Sequence, residues 1–471
     1  MLAALFLAAV LQFQSPVNYP VTLAGNFGEP RPHHFHGGLD IKTGQSVGKP
    51  IFSIGEGYVC RVTIGLYGFG NAVYVQHPNG YTSVYCHLKG FHPVLRAAVS
   101  RYRRAHGERD VIDEYKNPSP PADIRLAPTE YPVAQGQLIA VSGNTGSSQA
   151  PHLHMELHET RTWNMVDPLD VIPNLIKDTT PPMAHAFKAY PMSGEGVFNG
   201  TSQQQSFSFT AHHLSQPFTA WGKVGFGIWA NDYMEESYNK YGVRKTELTV
   251  DGNVVFSAVV DHVPMRCNRM VNSWGDYPFF RYAGVWFLKS FIEPGNLLPI
   301  LQADSNRGMV NFNQEKDYHL VYTLTDFFGN QAQYSFTVRG QQQMIPASRQ
   351  RHAPWVLHWD RMNYFQMPGV QLAVRPGLLP DDVEMTPAVI RHTQALSDAY
   401  RFSDVSYPLF DFAVLSIRLD KSVADTSRLC ILGEGEREID ATYHDGWVTG
   451  KIRDLGMTYE IGYRKTLTHN R

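Results

Sequence analysis

The segment Pro151-His152-Leu153-His154-Met155-Glu156-Leu157 alternates polar and apolar residues without a break. A period of two is the mark of a strand with one buried face. Leu153, Met155 and Leu157 then point into a core, and His152, His154 and Glu156 share the opposite face. Any fold that accommodates this segment is β-based here and carries two imidazoles and a carboxylate side by side.

A second segment, His36-Gly37-Gly38-Leu39-Asp40, adds a histidine and another carboxylate. Its two glycines permit a tight backbone bend, so both side chains can reach one ion. Zinc in hydrolases commonly takes three protein ligands and keeps its fourth position for water. His36, Asp40 and one histidine of the His152/His154 pair fill those three places, which leaves the other histidine free to handle protons. Further along, Ala72 to Gln76, an Asn79-Gly80 turn and Tyr81 to Cys86 read as a β-hairpin, since Asn-Gly between β-rich runs is a strong hairpin signal. The hairpin carries His87 back toward the face that holds His152 and His154. Neighbours on a strand face opposite ways, so Cys86 is expected to point away from the site if His87 points in.

Three ordered motifs resemble the lysostaphin-type (LytM-like) zinc metallopeptidases, bacterial enzymes that cut peptide bonds in peptidoglycan. His36, Gly38 and Asp40 match the first motif. Tyr85, His87 and Leu88 match Tyr-x-His-Leu. Ser142 to Ser147 followed by Pro151 to His154 match a small-residue loop running into Pro-His-Leu-His. The resemblance covers roughly residues 20 to 175. It implies one zinc ion held by His36, Asp40 and His154, with His87 and His152 as the non-ligand, catalytic histidines beside the metal-bound water. A long insertion at 90–131 departs from the pattern. It contains Arg101 to Arg104, Asp110 to Tyr115 and Pro118 to Pro121, and is expected to form a helical or irregular lid beside the groove.

Each motif alone is weak, because His-x-His on a strand is usually just two partly exposed polar residues and His-x-x-x-Asp is common by chance. The order and spacing of all three carry the reading. The chain has 20 histidines, so decoys exist. His33 and His34 read as loop residues, and His77, His92, His106 and His158 as surface or turn residues. Thr162 stands where a helical His-Glu-x-x-His motif starting at His158 would need its second histidine. Gly65 to Gly70 reads as a turn leading to the strand at Asn71. Glu156 reads equally as an orienting partner of the site histidines or as an exposed strand carboxylate.

A net charge of −2 gives no reason to expect nucleic-acid binding. Met1 to Leu11 is a short apolar run that fits a signal-peptide core, without the usual basic start and too short to span a membrane. An atypical signal peptide is expected over 1–14, with cleavage near Gln14 and export to the periplasm or cell envelope. Cys60, Cys86, Cys267 and Cys430 do not make a disulfide framework. They are expected as free buried thiols, with a bridge between Cys60 and Cys86, which lie on nearby strands, as the alternative.

At 471 residues the chain has room for about three domains. A zinc peptidase domain is expected over 15–177 as an antiparallel sheet. Lys177 to Pro182 follows as a stiff linker. An immunoglobulin-like β-sandwich over 183–340 is suggested by short strands and by the Asp326-Phe327-Phe328-Gly329-Asn330 turn. Gly340 to Pro354 reads as a second linker and 350–471 as a second β-sandwich, with Tyr459 to Arg471 frayed. The fold class is therefore mainly β. The expected activity is zinc-dependent hydrolysis of peptidoglycan stem peptides or cross-links, with envelope partner proteins for the C-terminal β-domains. The alternative is a non-catalytic protein that uses the same fold to bind the wall or activate another hydrolase.

Overall fold

The computed structural model describes residues 12–108, 121–235, 237–348 and 355–464. The structure is mainly β. Met1 to Leu11, Asp110 to Tyr115, Pro118 to Pro120 and the end of the chain from 465 lie outside the described residues.

The first unit is built on an antiparallel sheet in the order Leu23–Gly25, Gly38–Lys42, His152–Glu159, Tyr81–Cys86, Ala72–Gln76, Gly57–Ile64, Ala122–Arg125. The alternation in Pro151 to Leu157 acts as expected: Leu153, Met155 and Leu157 are fully buried in the main core. Leu39 and Ile41 of the neighbouring strand and Val73, Val75 and Tyr85 of the hairpin join them. The other face carries the polar residues of the site, with a small apolar patch of Ala72, Tyr74, Val84 and Cys86 beside them. The insertion begins with a helix at Pro93–Ala105, opened by a proline in its first turn and burying Leu95, Ala98 and Val99. The helix presses onto the core, and no described residue of the insertion lines the groove. The lid expectation is corrected for those residues.

The expected boundary at residue 14 cuts through packed structure. Phe13 is buried, with its ring 4.8 Å from that of His77. Gln14 donates its amide to the Ile54 carbonyl.

The second unit is a continuous 11-stranded sheet rather than two sheets joined only by loops. Its long strands, Met183–Phe198 and His213–Met234, bridge what would otherwise be separate layers. His213–Met234 pairs with Met183–Phe198 over most of its length and runs parallel to Gln331–Gly340 at its start. Phe187, Phe198, Phe218, Phe226 and Phe336 fill the interior, with Phe187 stacked on Phe336 at 3.9 Å. The hairpin Asp317–Thr325 and Gln331–Gly340 closes through the Asp326–Asn330 turn as its sequence indicates. A helical stretch from Met265 to Ala283, absent from the sequence reading, packs against the first unit, where Phe35 donates its amide to Asn268 Oδ1 at 2.7 Å.

Lys177 to Pro182 is a boundary in sequence but not a spacer. The first and second units share one hydrophobic core. Met165 and Val166 pair with Val263 and His262, which extends the first sheet across the junction. Arg244 bridges to Asp167 at 2.7 Å and to Asp170 at 3.0 Å. The buried hydroxyl of Tyr241 donates to the Leu23 carbonyl at 2.8 Å.

The third unit has a core of its own around Leu372, Leu415 and Ile431. It places a five-stranded sheet beside a three-stranded one. The expected frayed end is corrected: Tyr459 is buried, and Glu460–Tyr463 pairs with Leu429–Gly433.

Candidate active site

Strand register sets the site. Asp40 lies directly opposite His154, and Cys86 lies opposite His154 on the other side. Cross-strand partners share a face, so Asp40, His154, Glu156 and Cys86 all stand on the polar face. The expectation that Cys86 points away is therefore corrected. His87 reaches the same side because it sits just past the strand with φ +58°, a left-handed turn that breaks the alternation. The four cysteines are free, as expected.

Gly37 and Gly38 act differently from a bend. Neither has positive φ. A Cβ on Gly38 would come within 2.0 Å of the Met155 carbonyl oxygen, and one on Gly37 within 2.4 Å of Glu156 Oε1. The glycines let the Gly38–Lys42 strand and its approach lie close enough to His152–Glu159 for His36 to reach the centre.

The residues named from sequence converge. Asp40 Oδ1 is 3.0 Å from His36 Nε2 and 2.8 Å from His154 Nδ1, and the two nitrogens are 3.0 Å apart. All three residues are buried, and this group could hold a metal ion. Donors at about 2 Å from a tetrahedral ion lie about 3.3 Å from each other, so the triangle is nearly the right size. Each donor is also oriented from behind. His36 Nδ1 donates to the Asn26 carbonyl at 2.6 Å, which leaves Nε2 a free lone pair. His154 Nε2 donates to Glu156 Oε1 at 2.9 Å, which leaves Nδ1 for the centre. Such outer partners settle the tautomer and the ring orientation of metal-binding histidines.

His87 and His152 flank this triangle, with ring centroids 4.8 Å apart. His87 Nδ1 donates to the Thr145 carbonyl, and His152 Nδ1 to the Ala150 carbonyl, each at 2.8 Å. Their Nε2 atoms are turned toward the triangle, and that of His152 lies 3.3 Å from Asp40 Oδ1.

Electrostatics separate these groups. Burial drives the His36 imidazole down to about 4. His87 falls to about 4 through burial and then through its neighbours His154 and His152, so it is neutral at neutral pH. Burial also disfavours charge on His154, but its hydrogen bonds to Asp40 and Glu156 outweigh that and raise it to about 9. Burial likewise opposes ionisation of Asp40, and the surrounding imidazoles overcome it and hold the carboxyl well below the usual range. Two carboxylates around His154 make this a place where positive charge is favoured.

Sequence reasoning missed several contributors. Arg31 Nη2 donates to Asp40 Oδ2 at 2.7 Å and holds the carboxylate from outside. Phe69, from the glycine-rich turn, stacks on His154 at 5.8 Å. His158 is corrected from a surface residue: it is buried, binds Glu156 Oε2 at 2.6 Å and stacks on Trp163. His77 is likewise buried, between the Glu56 carbonyl and Ser83 Oγ. Nothing in the local sequence around Arg31 marks it. The period of two running on from His154 and Glu156 to His158 was the available signal for that residue.

A cavity of about 740 Å³ opens over the cluster, lined by Arg31, Asp40, Lys42, His87, His152 and Asn239 among others. Asn239 belongs to the second unit, whose Ser237 and Asn239 side chains bond Lys42 Nζ and the Ala24 carbonyl. The second unit thus forms part of the groove wall. A larger cavity of about 870 Å³ lies between Arg269, Phe412 and Arg453 and contains none of these donors.

Residues 34–99 match the sequence model described as Peptidase family M23, and residues 355–463 match a Zu5-like domain. An uncharacterized metalloprotease of Haemophilus influenzae is 30% identical over 148 residues, 31% of this chain and 22% of its own length. The peptidoglycan DD-endopeptidase ShyC of Vibrio cholerae is 28% identical over 147 residues, 30% of this chain and 26% of its own. The matched stretch thus spans about a quarter of these relatives. A zinc-containing peptidase structure from Vibrio cholerae covers 31% of this chain and 36% of that one at 25% identity and a TM-score of 0.21. The catalytic domain of lysostaphin from Staphylococcus simulans covers 28% and 76% at 22% identity and a TM-score of 0.20.

Proposed function

We propose that the M23-family peptidase domain carried by this chain is a zinc-dependent endopeptidase acting on peptidoglycan stem peptides or cross-links. The observation that carries the reading is the convergence of His36 Nε2, Asp40 Oδ1 and His154 Nδ1, each oriented by a second partner, at the floor of an open groove. The substrate class is supported by the matched relative whose name is a peptidoglycan DD-endopeptidase.

His36, Asp40 and His154 would hold the ion. A bound zinc ion supplies an acidified water and polarises a scissile carbonyl. His87 and His152, with Nδ1 tied to carbonyls, turn their Nε2 atoms to the space above the triangle. There they accept a proton from the attacking water and return it to the leaving amine. In its protonated form either ring also donates to the oxyanion of the tetrahedral intermediate. Glu156 accepts from His154 Nε2, so that a metal displacing the other ring proton would find Nδ1 turned to the centre, and Arg31 bonds Asp40 Oδ2 and holds the carboxylate pointed inward. Arg31 and Lys42 put positive charge along the groove, suited to a peptide with free carboxylates.

Export accompanies this reading, because the polymer lies outside the cytoplasm. Among the described residues no helix is long and apolar enough to cross a membrane. The test is zinc content together with digestion of purified peptidoglycan, fragments being identified by mass spectrometry, for the native chain and for His154→Ala. Cleaved peptide bonds that vanish with the metal support the proposal. Wall lysis that survives loss of the metal defeats it, and tight wall binding without cleavage favours the non-catalytic alternative.

A further inference from the structure

The second unit holds another convergence of ligand atoms. Asp178, Asp232 and Asp326 each place a carboxylate oxygen within 4.8 Å of the other two. They come from distant parts of the chain: the interdomain linker, the end of the long His213–Met234 strand, and the turn between Asp317–Thr325 and Gln331–Gly340. All three are buried, Asp232 to 3% exposure.

Their hydrogen bonding is incomplete. Asp178 Oδ1 accepts from the Thr180 amide, and Asp326 accepts from the amide and side chain of Asn330 at 2.8 and 2.7 Å. Asn330 Nδ2 also reaches the Asp178 carbonyl at 3.2 Å, which brings linker and turn together. Yet Asp178 Oδ2 and Asp232 Oδ1 are buried with no donor among the described residues. The charges that bear on Asp232 are those of Asp326 and Asp178, both negative. Exposed Glu235, bonded to Thr179, adds a fourth carboxylate beside Asp178. Buried carboxylates without donors are strongly unfavourable, and clustering compounds the cost by repulsion. Protonation relieves that cost in part, and Asp232 is raised to about 8 by burial and by Asp326; a bound cation would relieve it for all three together.

We propose that Asp178, Asp232 and Asp326 form a calcium site that ties the linker to the second unit. The donor set is all oxygen, which suits a hard cation and not zinc. Calcium binds oxygens at about 2.3–2.6 Å, so any two of its ligands lie at most about 4.6–5.2 Å apart, and three oxygens within 4.8 Å of one another can meet on one ion. Three carboxylates give part of its six to eight oxygens, and backbone carbonyls and water complete the set. Because Asp178 precedes Pro181 and Pro182 at the unit boundary, the ion staples the start of the second unit to its closing hairpin.

The site shares no residue with the proposed zinc centre, so the two readings fail separately. The full chain, stripped with EDTA and returned to one equivalent of zinc, is titrated with calcium chloride by calorimetry and thermal melting. The expected result is one calcium per chain and a Tm rise of about 5 °C at saturation. Both are lost in Asp232→Asn, which also relieves the repulsion and so folds without calcium, and both are kept in His154→Ala. A native chain that takes up no calcium overturns the proposal outright, whatever the variants do. So does undiminished calcium binding by Asp232→Asn and Asp326→Asn, or calcium binding that disappears in His154→Ala.

Discussion

The molecule contains two buried ligand clusters of opposite condition. In His36, Asp40 and His154, every atom that does not face the centre is already engaged: by the Asn26 carbonyl, by Glu156 and by Arg31. In Asp178, Asp232 and Asp326, two buried oxygens have no donor among the described residues. The first cluster is held in shape by its surroundings and mixes nitrogen with oxygen. The second is all oxygen and is complete only with added positive charge. Burial alone would rank them equal. Donor type and outer partners distinguish them: the first set suits a transition metal such as zinc, the second a hard cation.

This contrast can be broken at its strongest point first. Asp40→Ala or His154→Ala is expected to lose zinc and to lower peptidoglycan hydrolysis about 10³-fold or more. Metal analysis and a fragment assay check it, and the calcium response should survive. Hydrolysis that persists in the zinc-free variant would erase the distinction. Removing an outer partner should cost less: Glu156→Gln is expected to weaken zinc affinity or turnover about 10–100-fold, read by chelator competition and kcat/KM. An unchanged variant would mean that the Glu156–His154 bond does not matter to the centre. In the reciprocal experiment, Asp232→Asn should keep zinc and turnover within about twofold while the calcium-induced Tm rise disappears. A coupled loss of both metals would show that the clusters are not independent. The smallest effect concerns the junction between the units. Tyr241→Phe leaves the Leu23 carbonyl without its donor and should cost about 1–2 kcal/mol, seen as a Tm lower by a few degrees with zinc content unchanged. If Tm does not move, the hydrogen bond is not part of what couples the two units.

Parts of this were legible in the residues and parts were not, for identifiable reasons. The strand at His152–Glu159 followed from its alternation, and the hairpin that delivers His87 from its turn residues, because both signals are local. The role of Gly37 and Gly38 was misread as bending, because the need for them comes from the backbone of a strand more than 100 positions later. The facing of Cys86 was inverted, because one left-handed residue at His87 cancels the alternation rule. His158 and His77 were read as surface or turn residues; His77 does open a turn, but both are buried, and that depends on what packs over them. Lys177 to Pro182 has the composition of a spacer. Its Asp178 is nonetheless buried, since the carboxylates it meets lie about 50 and 150 residues further on.

The sequence by itself determined the β class and the periodic strands, which depend on side-chain alternation and turn chemistry over a few residues. It also offered His36, Asp40, His87, His152 and His154 as candidate site residues, but their division into ligands and flanking histidines came only from the family resemblance. Only the tertiary structure decided how the donors are oriented, that Arg31, Asn26 and Glu156 support them, that the second unit walls the groove, and that three distant aspartates meet. Each of these depends on strand register and on units packed through a common core, and contacts made across more than a hundred residues leave no period in the chain that encodes them.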